Sequence, residues 1–314
     1  PALELFNGHV REIIESNGLS RMRHGGRITD VDAGSDSVSV RTESEVLSAD
    51  FLILSVGRTE MPHRPPWARG ATHDRIVHVF DEHFTPEMLE TAGTPIVVGG
   101  GVTAVQVACL AARRTSGRVV LLSRGPVRVE QFDSEPCYIG PRCLEAFLST
   151  RDPAGRRRFI ERARRPGTIP SDVGRGLAAE PRVEVIEDEA IGVEAHADGV
   201  RVRRQGSAAP VRGGILVLAT GFEKGLPLSP IVRGLTRRHA LAVGPAGYPV
   251  PDTFLRWHPR VLVTGPLGEL ELGPAAPNII GAHLAARRLV PFFRGEHDGA
   301  HIAWTALTRY LETV

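Results

Sequence analysis

Residues 94–124, TPIVVGGGVTAVQVACLAARRTSGRVVLLSR, run from an apolar stretch into three consecutive glycines and close on a second apolar stretch. Ile96, Val97 and Val98 read as a short buried strand and Val102 to Arg114 as a helix, which places the glycines at a strand-to-helix junction. Glycine clusters by themselves are ordinary turns. The helix and the second strand, Val119 to Leu122, turn this one into a phosphate-binding unit of an α/β fold. In the pattern G-x-G-x-x-A, Gly99 makes the tight turn, Gly101 lets the backbone approach a pyrophosphate, and Ala104 lets helix and strand pack closely. With Gly100, Val102 and Thr103 completing the first turn, free N–H groups and the helix dipole hold the anion without a basic side chain.

The residues after the second strand select the nucleotide. An acidic residue there accepts from a ribose 2′-OH and favours NAD, whereas a basic one accommodates a 2′-phosphate. This chain has Ser123 and Arg124, which favours NADP(H), with Arg124 on the phosphate and Ser123 a neutral neighbour. A solvated loop arginine is the alternative.

At 314 residues, 42% hydrophobic and 24% charged, the chain reads as a soluble globular protein of about two domains. No stretch resembles a membrane span or a secretory signal. The net charge of +2 gives no electrostatic case for nucleic acid, and the basic run at 156–165 reads as a solvated helix face. Three cysteines, Cys109, Cys137 and Cys143, cannot build a disulfide framework and contain no Cys-x-x-Cys. They are expected to be structural or incidental in a reduced, cytoplasmic setting, and transfer of electrons to a redox-active disulfide is not expected.

An internal echo explains why the glycines come so late. LSADFLILSVGR (47–58) and VRGGILVLATGFE (211–223) are both apolar strands that run to a small residue and Gly, and each follows valine-rich strand pairs. One hairpin-plus-exit-strand arrangement is used twice. The chain is expected to leave one dinucleotide-binding domain near Gly57, build a second, and return near Gly221.

With VVGGGVTAVQVA and LLSR, LSVGR, LATGF and VLVTGPLGELELGPAAPNIIGAHLAARRLV (261–290), the chain resembles the FAD- and NAD(P)-binding oxidoreductases with two dinucleotide-binding domains. The resemblance is strongest to the branch of flavin-containing and N-hydroxylating (ornithine and lysine) monooxygenases. It implies an NAD(P)-binding domain over 59–239 inserted into a partial FAD-binding domain of 1–58 and 240–314, with β-meander crossover strands. Ala219, Thr220 and Gly221 would form a crossing between domains, and the stretch carrying Gly265, Leu272 and Asn278 would bring backbone to the flavin, as would Gly57. The implied activity is hydride transfer from NADPH to FAD and on to oxygen, with oxygen transfer to a small-molecule amine or related nucleophile as its extension. A nucleotide-binding module or subunit without turnover is the rival reading.

The fingerprint for the ADP half of FAD is missing. Residues 1–18 read instead as an amphipathic helix with Leu3, Phe6, Val10, Ile13 and Ile14 on one face. Either the sequence is a fragment or the segment has been lost, and the FAD site is expected to be incomplete in this chain. A strand over Phe51 to Val56 would then lack a neighbour, to be supplied by the missing piece or a second subunit. Residues 129–173 read as an insertion of two helices over the cofactor crevice. Gln131, Asp133 and Tyr138 there could face substrate or nicotinamide, with Asp133 as a mere helix cap the alternative. HVFDEHF (78–84) suggests a metal, but no Cys or third His completes a set, and none is assigned. Trp257 and His258 fall near the flavin-side stretch, and Asn278 is expected to cap the helix after it. No residue is singled out as an acid or base.

Overall fold

The computed structural model describes residues 3–57, 61–71, 73–90, 93–139, 141–165, 167–223 and 230–295. The chain opens with α1 (Leu3–Ser16), an antiparallel meander β1 (Ile28–Ala33), β2 (Val38–Thr42) and β3 (Val46–Ala49), then β4 (Leu52–Leu54) and β5 (Ile76–His78). The glycine unit follows as β6 (Pro95–Val98), α2 (Val102–Arg114) and β7 (Val119–Ser123). Beyond it come β8 (Arg128–Val129), α3 (Pro141–Ser149), α4 (Pro153–Ala163), β9 (Thr168–Ile169), α5 (Ser171–Ala178) and β10 (Val183–Glu187). A second meander, β11 (Ala190–His196), β12 (Gly199–Arg204) and β13 (Ser207–Gly213), runs into β14 (Ile215–Leu218). The last part holds α6 (Pro230–His239), β15 (Arg256–His258), β16 (Val261–Val263), α7 (Glu269–Leu272) and α8 (Ile279–Phe293).

Five strands form a parallel sheet in the order β10-β7-β6-β14-β5. Its central strands read as unbroken apolar runs because both faces are covered. Val97, Val119, Leu121, Ile215 and Val217 meet Ala104, Val105, Ala108 and Ala111 of α2 on one face. The alternate set, Ile96, Val98, Val120, Leu122, Leu216 and Leu218, meets Val200, Val202 and Val211 of the second meander on the other. Small residues on the buried side of α2 let it lie close to the sheet, and each large aliphatic buried here contributes about 1.5–3 kcal/mol.

The echo read from the sequence is present in space: each meander delivers its chain into a parallel strand, β4 after the first and β14 after the second. β4 pairs in parallel with β16, and β16 antiparallel with β15. Val232 and Leu235 of α6 pack on Val31 and Val38 of the first meander and on Val261 and Val263 of β16. Among the described residues no strand pairs with the other edge of β4, and Ile53 and Val56 are each 41% exposed. α1 forms where expected but buries none of its residues; Leu3 and Leu5 are 71% and 68% exposed.

Several expectations need correction. Cys137 and Cys143 are joined in a disulfide, with their Cα atoms 5.4 Å apart. Cys109 remains a free, buried thiol. Asn278 stands at the N-cap of α8, yet its side chain makes no capping bond; its backbone carbonyl accepts from Gly281 and Ala282 instead. Residues 129–173 hold two α-helices, α3 and α4, as expected, with α5 starting only at Ser171, but Asp133 caps neither of them: it pairs with Arg164 at 3.1 Å. The true cap in that region is Asp152, whose carboxylate accepts from Gly155 N–H at 2.6 Å at the start of α4.

Candidate nucleotide-binding site

The carboxyl ends of β5, β14, β6 and β7 lie side by side, so the loops after Leu218, Val98 and Ser123 share one rim. The chain departs from β6 toward β7 through α2, while β14 lies on the other side of β6. This reversal opens the crevice where doubly wound sheets bind nucleotides.

The three glycines serve three purposes. Gly99 has φ +152°, and a Cβ on it would stand 2.4 Å from the Ala219 carbonyl oxygen and 3.0 Å from Ala104 Cβ. This is the tight approach of turn, helix and neighbouring strand. A Cβ on Gly100 would fall 2.6 Å from Ser123 Oγ. Gly101 is different: it is extended, with φ −97° and ψ −177°, and a Cβ there would meet only Gly167 Cα, at 3.5 Å. Its face is open, at the N-terminus of a thirteen-residue helix. The first-turn N–H groups of Val102, Thr103 and Ala104 have no carbonyl within the helix to reach, and together with the dipole they suit an anion.

Ser123 is buried and donates its hydroxyl to the Gly125 carbonyl at 2.7 Å, shaping the turn beside Gly100. Arg124 is exposed and makes no side-chain bond to any described residue.

Ala219, Thr220 and Gly221 follow β14 and run antiparallel to residues 61–63. Thr220 donates its hydroxyl to the His63 carbonyl, His63 N–H donates to Gly221 O at 2.8 Å, and Glu223 N–H donates to Met61 O at 3.0 Å. Gly221 has φ +75°, in the left-handed region that favours glycine. Two passes of the chain thus lie hydrogen-bonded side by side.

The HVFDEHF stretch, weighed in the sequence only as a metal site, stands next to this crossing. His78, at the end of β5, is fully buried; its Nδ1 accepts from Phe80 N–H at 3.2 Å, which places the proton of the neutral ring on Nε2. Burial pushes its pKa down to about 4, against the opposing pull of Asp81, which itself binds Arg64. Phe80 stacks on Phe222 with ring centroids 4.7 Å apart, both rings substantially exposed on the rim. Exposed aromatics just past two adjacent strand ends were the available signal. A depressed histidine stabilises the fold above its unfolded pKa of about 6.5, and that contribution is lost as pH falls toward about 4. The thermal midpoint should therefore drop between about pH 7 and about pH 5, and His78→Asn should flatten that drop. An equal drop in the variant would show that other groups set the acid limb.

The second group of expected residues lies at the small sheet. Gly57 and Gly265 follow the parallel neighbours β4 and β16, with φ +72° and +59° and open space where a Cβ would be. Thr264 N–H donates to Leu54 O at 3.1 Å and holds the two strand ends together. Leu272 is buried with Leu255, Ala276 and Ala285, so only its backbone could reach a ligand. Trp257 is buried and donates Nε1–H to Ala242 O at 2.7 Å, while His258 lies against His239, with burial and that neighbour lowering its pKa. In the insertion Gln131 is exposed, and Tyr138 meets Phe159 edge to face, with its pKa raised by burial.

The residues around Gly101 and Arg124 fit NADP(H): an open backbone cradle, a helix N-terminus and an unpaired guanidinium. For FAD the fit is partial. Gly57 and Gly265 offer close backbone approach, but no glycine turn for its ADP half occurs among the described residues.

Neither a family model nor a curated protein sequence matches the chain. Solved structures do. The FAD-bound cadaverine monooxygenase of desferrioxamine biosynthesis from Erwinia amylovora aligns with TM-score 0.66 and 19% identity over 93% of this chain and 77% of its own. The reduced form of ornithine hydroxylase from Pseudomonas aeruginosa gives 0.66 and 16% over 96% and 76%. An ornithine N-hydroxylase from Kutzneria sp. 744, with reduced FAD, NADP+ and L-ornithine, gives 0.63 and 17% over 88% and 74%. At such identities the likeness is one of fold: the chain has the α/β architecture of the flavoprotein oxidoreductases with two dinucleotide-binding domains.

Proposed function

We propose that this chain is an FAD-dependent NADPH oxidoreductase that acts on a small molecule, with an amine or related nucleophile as substrate class. The observation that carries the reading is the open face of Gly101 at the start of α2, beside an unpaired Arg124. It is supported by a fold shared with structures described as holding FAD, NADP+ and ornithine. When bound, the nicotinamide would supply a hydride, and a flavin would take up the electrons for transfer to oxygen. This chain's own part is to hold the pyrophosphate on the turn from Gly99 to Ala104, to set the 2′-phosphate against Arg124, and to keep the crossing from Ala219 to Gly221 fixed beside the crevice. We assign residues 59–239 to the nucleotide domain and 1–58 with 240–314 to the flavin domain, Gly57 and Gly265 lying at the flavin. A further polypeptide segment, from the same protein or a second subunit, pairs with the open edge of β4 and completes the FAD site; small-angle scattering of the protein with and without FAD checks for it. No helix among the described residues is long and apolar enough to cross a membrane.

The test is a comparison of nucleotides. Arg124→Ala removes a charge-assisted contact made only by the 2′-phosphate, so NADPH affinity should fall by about tenfold or more while NADH affinity barely changes. Equal losses for both would overturn the assignment. The rival, a nucleotide-binding module without turnover, predicts the same selectivity with no flavin reduction.

A further inference from the structure

We infer that Cys137 and Cys143 form a reversible redox site, addressed by a small or protein dithiol, whose state is transmitted to the phosphate-binding turn. The disulfide links two parts of the insertion that are anchored in different places. Just before Cys137, residues 130–135 lie against Arg164, Arg165 and Ile169: Ser134 bridges to Arg164, Arg165 N–H donates to Asp133 O at 2.7 Å, Glu130 N–H donates to Ile169 O at 2.9 Å, and the Arg165 guanidinium spans Glu130 and Glu135 at 3.3 and 2.8 Å. This ribbon presents Gly167 to Gly101, the open glycine of the turn.

Past Cys143 the chain is seated elsewhere. Leu144 and Phe147 of α3 are buried with Tyr248 and Leu270 and cover Gly273, so α3 stands on the stretch assigned to the flavin. α4 then fastens the insertion there through buried pairs, Arg156 with Glu271 and Arg157 with Glu269. The two sulfurs therefore connect a ribbon that touches the turn to a helix that is packed elsewhere, on Tyr248 and Leu270.

Both cysteines are half-buried, so a reductant can reach the bond, unlike the buried Cys109. Reduction breaks the Cys137–Cys143 S–S bond; the attacking dithiol gives two electrons and two protons, leaving two cysteine thiols and its own disulfide. The chain between positions six apart is then released from a covalent constraint, and the ribbon beside Gly101 gains freedom. The effect on nucleotide affinity rests on the NADP(H) reading above; the redox site and its effect on the turn do not.

Free thiols are counted in the denatured protein before and after dithiol treatment, and amide hydrogen exchange is followed over 99–105 and 164–169 without nucleotide. Oxidised protein should show one free thiol and reduced protein all three. Exchange in both segments should be faster in the reduced form by about three- to tenfold. Cys137→Ser and Cys143→Ser should each match the reduced wild type and ignore the dithiol. NADPH affinity, measured in parallel, should weaken by a similar factor on reduction. Three free thiols after mild oxidation, or identical exchange in both states, would overturn the inference. Redox-dependent exchange with no NADPH binding in either state would uphold it and sink the nucleotide reading.

Discussion

Gly101→Val is expected to abolish useful NADPH binding in a protein that remains folded. Its backbone is extended, a conformation that a β-branched residue adopts readily, and a Cβ there meets only Gly167 Cα at 3.5 Å. The isopropyl group would instead project into the space where a pyrophosphate approaches the first turn of α2. Loss of that approach forfeits the backbone contacts together with the dipole, roughly 3 kcal/mol or about a hundredfold in affinity. Calorimetric titration reads the affinity and circular dichroism the fold. Gly99→Ala should fail the other way, losing stability first, because its Cβ would run into the Ala219 carbonyl from a left-handed backbone. If Gly101→Val binds as tightly as wild type, the glycines form only a turn.

Glu271→Ala should be strongly destabilising around the small sheet of β4, β15 and β16. The Glu271 carboxylate is buried between Arg156 of α4 and Arg288 of α8, the latter at 2.6 Å. Its removal leaves two guanidinium groups facing each other without a counterion in a water-poor setting. Breaking a buried pair from one side typically costs about 3–5 kcal/mol, which in a chain of this size lowers the thermal midpoint by roughly 10 °C. Scanning calorimetry checks it. A midpoint within a degree or two of wild type would mean that water reaches the arginines and that α4 is held by apolar contacts such as Ile160 and Phe147.

What was legible in the sequence followed from local chemistry. Ile96 to Val98, the glycine triplet, α2 and β7 all stand where apolar periodicity and glycine stereochemistry put them, and the repeated meander was visible because valine-rich hairpins and their exit strands alternate over short range. The rest depends on contacts between distant segments. No spacing rule brings Gly167 to Gly101, or Arg156 and Arg157 to Glu271 and Glu269, more than a hundred residues away. The basic run 156–165 looked like a solvated face, yet two of its arginines are among the more deeply buried charges. The disulfide escaped for a related reason: spacing alone does not say whether cysteines six apart meet, and α3, which carries Cys143, is seated on distant Leu270 and Tyr248. Asn278 has the right residue type in the right place, but its carbonyl, not its side chain, satisfies the start of α8.

On the function proposed above, NADPH bound on the turn from Gly99 to Ala104 would reduce a flavin held by the same protein. The direct measurement is an anaerobic titration of the FAD-supplemented protein with NADPH, followed at the visible absorption band of oxidised flavin. Stoichiometric bleaching with NADPH, much slower with NADH and lost in Gly101→Val, is the predicted result. An unchanged flavin spectrum at saturating NADPH would contradict it.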